Sequence, residues 1–484
     1  MISVPINERG MFSMSKPAAN ILLAIAFALC CLFAISVALF YPGYASDASI
    51  LGMLIFLEIV LAAIWNYEER FFLLLILVFF FAGAGAPPPG FWSAGRWFVL
   101  GAGTLAGVAH FLRDHRYRLG GFHLVAFFCL IAAVASCSAS LYERDALFKV
   151  FSFSLLFFYA ASGMRAAVLR RERQFFSGLL LFCEILTYLA AVCYFALHYG
   201  LFGNPNSLGA IMGVLVVPMI LWGVFATEGT SAQKRLVVAL VLSVMLLATS
   251  HARAGILGAT ISCAVVCIAL RRYQALGLLA CTGLLAAVVV VFVASPATTA
   301  DQSQSLTSAF IYKGHPEGGL LGSRRSAWEE TVSSVHEHPW FGTGFGTSAT
   351  GSGVSQSGGY FESASRDTRE HGNSYLAILE WVGLLGVCPF AALILMVIAN
   401  VGKSLKQIRK SGTTFSPLIP IVGVVIAGLV NAGFEDWLFA MGYYLCVVFW
   451  GLAFVLVDYV SLPERGYDLR PGLAVTASAS SIPM

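Results

Sequence analysis

The chain has 484 residues, 58% of them hydrophobic and only 11% charged, with a formal net charge of +4 and a mean hydropathy of +0.82. That composition lies outside the range of soluble globular domains. The reading it leaves is an integral membrane protein whose first partner is the lipid bilayer, with no nucleic-acid partner expected.

Apolar runs of about 20 residues, the length that crosses a bilayer, recur from Ala18 to Asp458. Charged or Gly/Pro-rich breaks separate them. Spans are predicted near residues 18–40, 49–66, 71–86, 92–112, 122–140, 146–164, 175–200, 206–226, 236–250, 254–270, 274–294, 373–400, 415–433 and 437–458. Shorter runs that fuse or re-enter put the expected count at 12–14 transmembrane helices. The fold class is therefore an all-α polytopic membrane protein. It divides into N-terminal transmembrane helices (1–294), one large, partly helical loop (295–372), C-terminal transmembrane helices (373–460) and a tail (461–484).

The stretch "NERGMFSMSK" ahead of the first apolar run is not followed by a small-residue cleavage site, so that run is expected to be a retained span. Basic residues in short loops stay in the cytoplasm. With the N-terminus inside, 20 of the 29 Lys and Arg residues fall on the inner side, and five of the other nine lie in the long loop, where the rule has little force. Both termini are expected to be cytoplasmic and the long loop periplasmic. All 11 cysteines lie within predicted spans, which supports neither a disulfide framework nor a cysteine metal site.

The long loop is the one connection with room for a structure of its own. Within it, "GSRRSAWEETVSSVHEHPWFGTGFG" predicts a helix: Ser323 is a plausible N-cap, Trp328, Val332 and Val335 recur at helical spacing, and Pro339 ends it. Arg325 faces Glu329 at i+4, a solvated pair that accounts for it. Arg324 lies one turn before Trp328 on the packing side and must find a partner. His336 and His338 are two residues apart, which points their rings to different sides of a helix and argues against a metal site.

Four more positions stand at outer mouths. Arg253, in the tight hairpin "TSHARAG", is costly at a membrane boundary unless paired or bound to an anion; snorkelling to headgroups is the competing reading. Asn204 and Asn206 in "FGNPNSLG" are substrate contacts or a turn and helix cap. Arg96 is similarly placed. In "HGNSYLAILEWVGLLG", Asn373 is a good N-cap, so a positive helix end faces outward. His371 precedes it at a depth expected to be both hydrated and close to a lipid-borne substrate. That positive field is expected to lower the imidazole pKa, and Gly372 to bend the backbone between the two residues.

The stretches "TSHARAG", "GSRRSAWEETVSSVHEHPWFGTGFG" and "HGNSYLAILEWVGLLG", in that order, resemble the O-antigen ligase and polymerase superfamily (WaaL/Wzy type) over roughly residues 200–440. Arg324, Trp328, His338, Pro339, Gly342 and Gly344 match one family motif, and Asn373, Gly383 and Gly386 another. The chain departs from the family in having Gly372 between the histidine and Asn373, which leaves His338 as competitor to His371 for the catalytic base.

The resemblance implies a GT-C-like, metal-independent, inverting glycosyltransferase of a Gram-negative inner membrane. It would take O-antigen from undecaprenyl diphosphate and join it to lipid A-core oligosaccharide on the periplasmic side. In those roles Arg253 and Arg324 hold the diphosphate, His371 or His338 is the base, and Arg96, Asn204, Asn206, Trp328 and Asn373 are further substrate-binding candidates. No Asp-x-Asp occurs in the outer segments, and no cofactor or metal is expected. An O-antigen polymerase and a protein O-oligosaccharyltransferase share these motifs. A secondary transporter or flippase would instead rely on Glu58 and Glu184 within spans.

Overall fold

The computed structural model describes residues 68–83, 91–113, 119–198, 204–227, 229, 231–278, 280, 281, 283, 322–348 and 371–461. The spans expected at 18–40 and 49–66, most of that at 274–294, the outer parts of the long loop and the tail lie outside the described residues. No strand occurs among the described residues. The helices are α1 (Glu68–Gly83), α2 (Phe91–Arg113) and α3 (Gly121–Cys137), then α4 (Glu143–Arg170), α5 (Glu172–Ala196), α6 (Pro205–Ala226) and α7 (Ser231–Thr249). After them come α8 (Arg253–Ala269) and the loop helix α9 (Gly322–Glu337). The last three are α10 (Ser374–Ser411), α11 (Leu418–Ala432) and α12 (Tyr444–Ser461).

Six of these, α4, α5, α6, α7, α10 and α12, are long and apolar enough to cross a membrane. The chain is thus an all-α polytopic membrane protein. Its centre is α11 and α12 with α6, apolar on every side and buried along most of their length, as expected of helices enclosed by others. The outer helices keep large apolar side chains exposed, among them Phe127, Phe128, Phe151, Ile185, Leu395 and Ile398. With no water to hide from in the bilayer, those surfaces face lipid.

Small residues let the inner helices approach closely. A Cβ on Gly213 of α6 would fall 2.3 Å from the carbonyl oxygen of Gly255 on α8. Along α8 and α11, Gly258 lies against Ala427 and Ser262 donates to the carbonyl of Gly423 at 2.6 Å. The two run antiparallel, so Arg253 shares one end of the bundle with residues 433–436 and Ala269 lies at the other.

The helix α10 runs to Ser411, beyond the predicted end at 400, and two irregular stretches also depart from expectation. The apolar stretch from 437 reads as the start of a span, yet α12 begins only at Tyr444. Residues 433–443 form turns instead, with Ala440 N–H donating to Trp437 O at 3.0 Å and Tyr443 N–H to Ala440 O at 2.9 Å. Likewise α10 is interrupted at Gly383, whose φ is +66°. Both irregular stretches meet at the same end of the bundle.

Candidate functional site

The break in α10 is built by the glycine-rich turn that follows α9. Thr343 N–H donates to Glu380 O at 2.9 Å and Gly344 N–H to Trp381 O at 3.1 Å. Beyond the break, Leu384 N–H donates to Pro339 O at 2.8 Å and Leu385 N–H to Trp340 O at 3.2 Å. The turn therefore satisfies backbone groups that a helix break would leave unpaired in an apolar setting, which is what makes such a break tolerable at membrane depth. A Cβ on Gly383 would lie 2.4 Å from Trp340 O, so only glycine fits. Lys149 Nζ donates to Gly346 O at 2.6 Å, and Ser140 and Thr347 share a hydrogen bond of 2.8 Å, tying the turn to α3 and α4.

Glu380, whose carbonyl accepts from Thr343, lies on the turns of α10 before the break and presents its carboxylate to the imidazole of His371. His371 Nε2 lies 3.3 Å from Glu380 Oε2 and 3.5 Å from Ser348 Oγ. Nδ1 lies 3.5 Å from Asp436 Oδ2, and no hydrogen bond meets it. The His371 backbone N–H donates to the same Asp436 oxygen at 2.9 Å, and the Trp381 ring packs edge-on against the imidazole at 5.5 Å. His371 is 0% exposed, whereas the Asp436 side chain is 30% exposed. The hydrated position expected for His371 is therefore replaced by a closed pocket whose open side is Asp436.

The electrostatics also differ from expectation. Burial alone would push the imidazole pKa down, but the carboxylates of Asp436 and Glu380, within 3.5 Å of its two nitrogens, outweigh it, and the His371 pKa is raised above its ordinary 6.5. Two carboxylates a few ångströms away act more strongly than the partial charge of a helix end. Asp436 is affected in the opposite sense: burial would raise it, but its hydrogen bonds and charge contact with His371 hold it below 3.8.

Asn373 caps α10 as expected, its Oδ1 accepting from Tyr375 N–H at 2.9 Å and Leu376 N–H at 3.2 Å. Gly372 sits at φ +62°, and a Cβ there would come within 2.8 Å of Arg324 Cδ and Nη1. The glycine separating His371 from Asn373 thus provides both a left-handed bend and the space in which Arg324 lies. Arg324 Nη2 pairs with Glu435 Oε1 at 2.5 Å. Trp328 Nε1 donates to Gly372 O at 3.3 Å, fastening α9 over the same segment. The backbone carbonyl of Glu435 accepts from Ser374 N–H at 3.0 Å and from Ser374 Oγ at 2.6 Å.

The segment 433–443 links the remaining candidates. Arg96 Nη1 donates to Gly442 O at 2.9 Å, and its guanidinium lies over the Trp97 ring at 4.9 Å. Tyr444 Oη donates to Ser207 O at 3.1 Å, reaching the helix that Asn204 caps. Asn204 Oδ1 accepts from Asn206 N–H at 2.8 Å, so its cap role is met locally. Arg253 opens α8 directly after Ala252, which packs against Gly209 of α6, and so stands in the Asn204 corner of this end. His338 is exposed at the end of α9, its carbonyl accepting from Gly342 N–H at 3.2 Å. Arg325 pairs with Glu329 at 2.7 Å on a solvated face, as expected. No group of three metal-ligating side chains occurs among the described residues.

Sequence reasoning did not single out Glu435, and it weighed neither Asp436 nor Glu380. A signal was present: "FEDW" puts two adjacent acids inside a run otherwise apolar from 415 to 458, where uncompensated charge is costly. Glu184, the carboxylate on which a transporter reading depended, is paired with the Arg235 guanidinium, including an Nη2–Oε2 contact of 3.2 Å. Glu58 lies outside the described residues.

A helical membrane bundle with a broken helix, an imidazole between two carboxylates and a cluster of guanidinium groups at one end defines a polytopic membrane protein with an ionisable site at its membrane boundary. Residues 238–391 match the family model described as O-antigen ligase (Wzy_C), in agreement with the resemblance carried by the sequence motifs. That match spans Arg253, Arg324, Trp328, His338, His371, Asn373 and Glu380, and supports a function of the O-antigen ligase or polymerase type. No curated protein matches the chain.

Proposed function

We propose that the protein is an O-antigen ligase of a Gram-negative inner membrane, transferring O-antigen polysaccharide from undecaprenyl diphosphate to lipid A-core oligosaccharide at the periplasmic face. The observation that carries this reading is the His371–Asp436–Glu380 cluster beside the Arg324–Glu435 pair. Its histidine, Arg324 and Glu380 fall within the O-antigen ligase match.

The reaction is a displacement. The acceptor hydroxyl oxygen forms a bond to the anomeric carbon, the bond from that carbon to the diphosphate oxygen breaks, and the leaving diphosphate carries off the electron pair. Configuration inverts. Neutral His371 keeps its proton on Nε2, which donates a hydrogen bond to Glu380, so the lone pair is on Nδ1 toward Asp436. Asp436, the exposed member, meets the acceptor hydroxyl and hands its proton across to Nδ1. Carboxylates beside an imidazole stabilise the imidazolium as it forms, the role an aspartate plays in a catalytic triad. A base whose pKa is brought toward the working pH is also the more effective one.

The leaving diphosphate gathers charge, which Arg324 and Arg253 balance; planar guanidinium groups suit phosphate because they donate two parallel hydrogen bonds. Glu435 holds Arg324 in place until the donor arrives. The arginines supply the cationic charge, so no divalent ion is required.

Deleting the gene and examining the lipopolysaccharide tests the assignment. Uncapped lipid A-core with accumulated long lipid-linked glycan is the expected outcome. A single repeat unit left on the core would identify a polymerase, and unchanged lipopolysaccharide with altered glycoprotein would identify transfer to protein. Purified protein should transfer glycan in the presence of EDTA; activity abolished by chelator and restored by Mg²⁺ would overturn the metal-free mechanism.

A further inference from the structure

At the end of the bundle opposite His371, a cavity of about 420 Å³ opens between three elements. Val224 and Phe225 at the end of α6 form one wall, and Gln233 in the first turn of α7 another. Arg271, Arg272 and Tyr273, which follow α8, close it. The volume falls within the range of small-molecule sites, about 300–1,000 Å³. Its lining combines apolar side chains, Val224, Phe225 and Ala275, with two arginines.

The backbone here is unusual. Arg271 adopts φ +57°, one of three non-glycine residues with positive φ among the described residues. Its N–H donates to Ile268 O at 3.1 Å and that of Arg272 to Cys267 O at 2.9 Å, closing the C-terminus of α8. A left-handed residue at that position is usually glycine, because any other side chain is strained there. An arginine is kept in a place where glycine would close the turn at no cost, which points to a use for its side chain. Gln233 is engaged in shaping the opposite wall: its Nε2 donates to Val224 O at 3.2 Å and its Oε1 accepts from Gly229 N–H at 3.0 Å.

Retention in the cytoplasm explains basic residues at this end, but it asks only for positive charge and is indifferent to Lys against Arg or to a cavity. Two adjacent guanidinium groups on a cavity at helix ends are suited to phosphate oxygens, and basic pockets between transmembrane helices bind anionic headgroups. We propose that Arg271, Arg272 and Tyr273 form a binding site for the phosphate of an anionic phospholipid, remote from the His371 cluster. The guanidiniums take the phosphate oxygens, the Tyr273 hydroxyl reaches the glycerol end of the headgroup, and Val224, Phe225 and Ala275 meet the start of the acyl chains. This site stands on its own observations and does not depend on the reaction assigned to the other end.

The test uses the full chain in nanodiscs of phosphatidylcholine doped with phosphatidylglycerol, with co-purifying lipid counted by native mass spectrometry. Wild type is expected to retain phosphatidylglycerol over phosphatidylcholine. R271A/R272A should retain about tenfold less phosphatidylglycerol, because the phosphate oxygens lose both guanidinium donors. R271K/R272K, which preserves charge and hence insertion, should lose a similar amount because the fork is gone. Undiminished retention in the Ala variant, or wild-type retention in the Lys variant, would overturn the proposal, the latter by reducing it to general charge attraction. Inorganic phosphate added to phosphatidylcholine nanodiscs should not reproduce the gain in thermal stability that phosphatidylglycerol confers; if it does, the site takes free anions and the lipid assignment fails.

Discussion

The two ends of the bundle treat buried charge in opposite ways. At the end of α4 remote from His371, Arg165, 1% exposed, meets Asp458 with two parallel hydrogen bonds of 2.6 and 2.7 Å and sends a third to Ala161 O at 3.1 Å. That pair is geometrically saturated and holds α4 to α12. At the other end, His371 lies between Asp436 and Glu380 at 3.5 and 3.3 Å, with Nδ1 meeting no hydrogen bond. A saturated pair resists change; an imidazole with a looser, acid-flanked arrangement is able to exchange a proton. Equal burial therefore does not mean equal purpose, and the hydrogen-bond geometry separates scaffold from site.

The largest expected effect tests that separation directly. His371→Ala should lower glycan transfer by about 10²–10⁴, the usual contribution of a positioned proton acceptor, with membrane insertion intact, whereas His338→Ala should transfer near the wild-type rate. A dead His338→Ala beside an active His371→Ala would move the base to the "HPWFGTG" turn. Arg165→Ala provides the converse: it strands a buried carboxylate and should cost about 3–5 kcal/mol of stability, read as a lower thermal midpoint in detergent. The fraction that remains folded should keep normal activity per molecule.

The broken helix comes next. Gly383→Ala places a side chain at φ +66° and against Trp340 O, costing about 1–2 kcal/mol from the backbone before any clash. Because Glu380 sits on the segment it displaces, activity should fall along with the thermal midpoint. A Gly383→Ala protein equal to wild type in both would mean that the break does not position the carboxylate.

The pH dependence is subtler. A base must be neutral to act, so transfer should rise with pH through a midpoint above the ordinary imidazole value of about 6.5, in the direction of the His371 shift. Asp436→Asn removes one raising influence, and the residual activity should titrate at lower pH. For stability the signs are reversed between partners. The raised His371 contributes fully below about pH 6.5 and loses its contribution as pH rises through its folded value. Asp436, lowered, contributes above about pH 3.9 and loses it as pH falls through its folded value. The cluster is thus most stabilising between those limits, and chemical denaturation across pH would show whether it is.

The smallest effect belongs to Arg325. Its pair with Glu329 has side chains 75% and 65% exposed, and solvent screening leaves such a pair little weight. Arg325→Ala should leave transfer and stability within error of wild type, while Arg324→Ala, one residue away and paired with Glu435, should impair donor use. The reverse result would contradict the assignment of the two helix faces.

Much of this was legible along the chain. Apolar runs of bilayer length set α1 to α8 and α11 to within about six residues and the start of α10 to within one, because in lipid a backbone must satisfy its own hydrogen bonds and only a helix does so locally; the polar last turns of α10, to Ser411, lay beyond that signal. The Asn373 cap, the Arg325–Glu329 pair and the separate surroundings of Arg324 are likewise local, decided by spacings of two to four residues. What the sequence could not determine was every relation between residues far apart. Glu380 looked like one acid in a spanning helix until packing placed its carboxylate against His371. Asp436 read only as part of the short break between the spans predicted at 415–433 and 437–458. His371 was expected to be hydrated and lowered in pKa, and tertiary packing made it buried and raised it instead. Helix formation is a property of neighbours in the chain, whereas the basicity of a buried imidazole is set by the charges packed around it, here from residues 9 and 65 positions away.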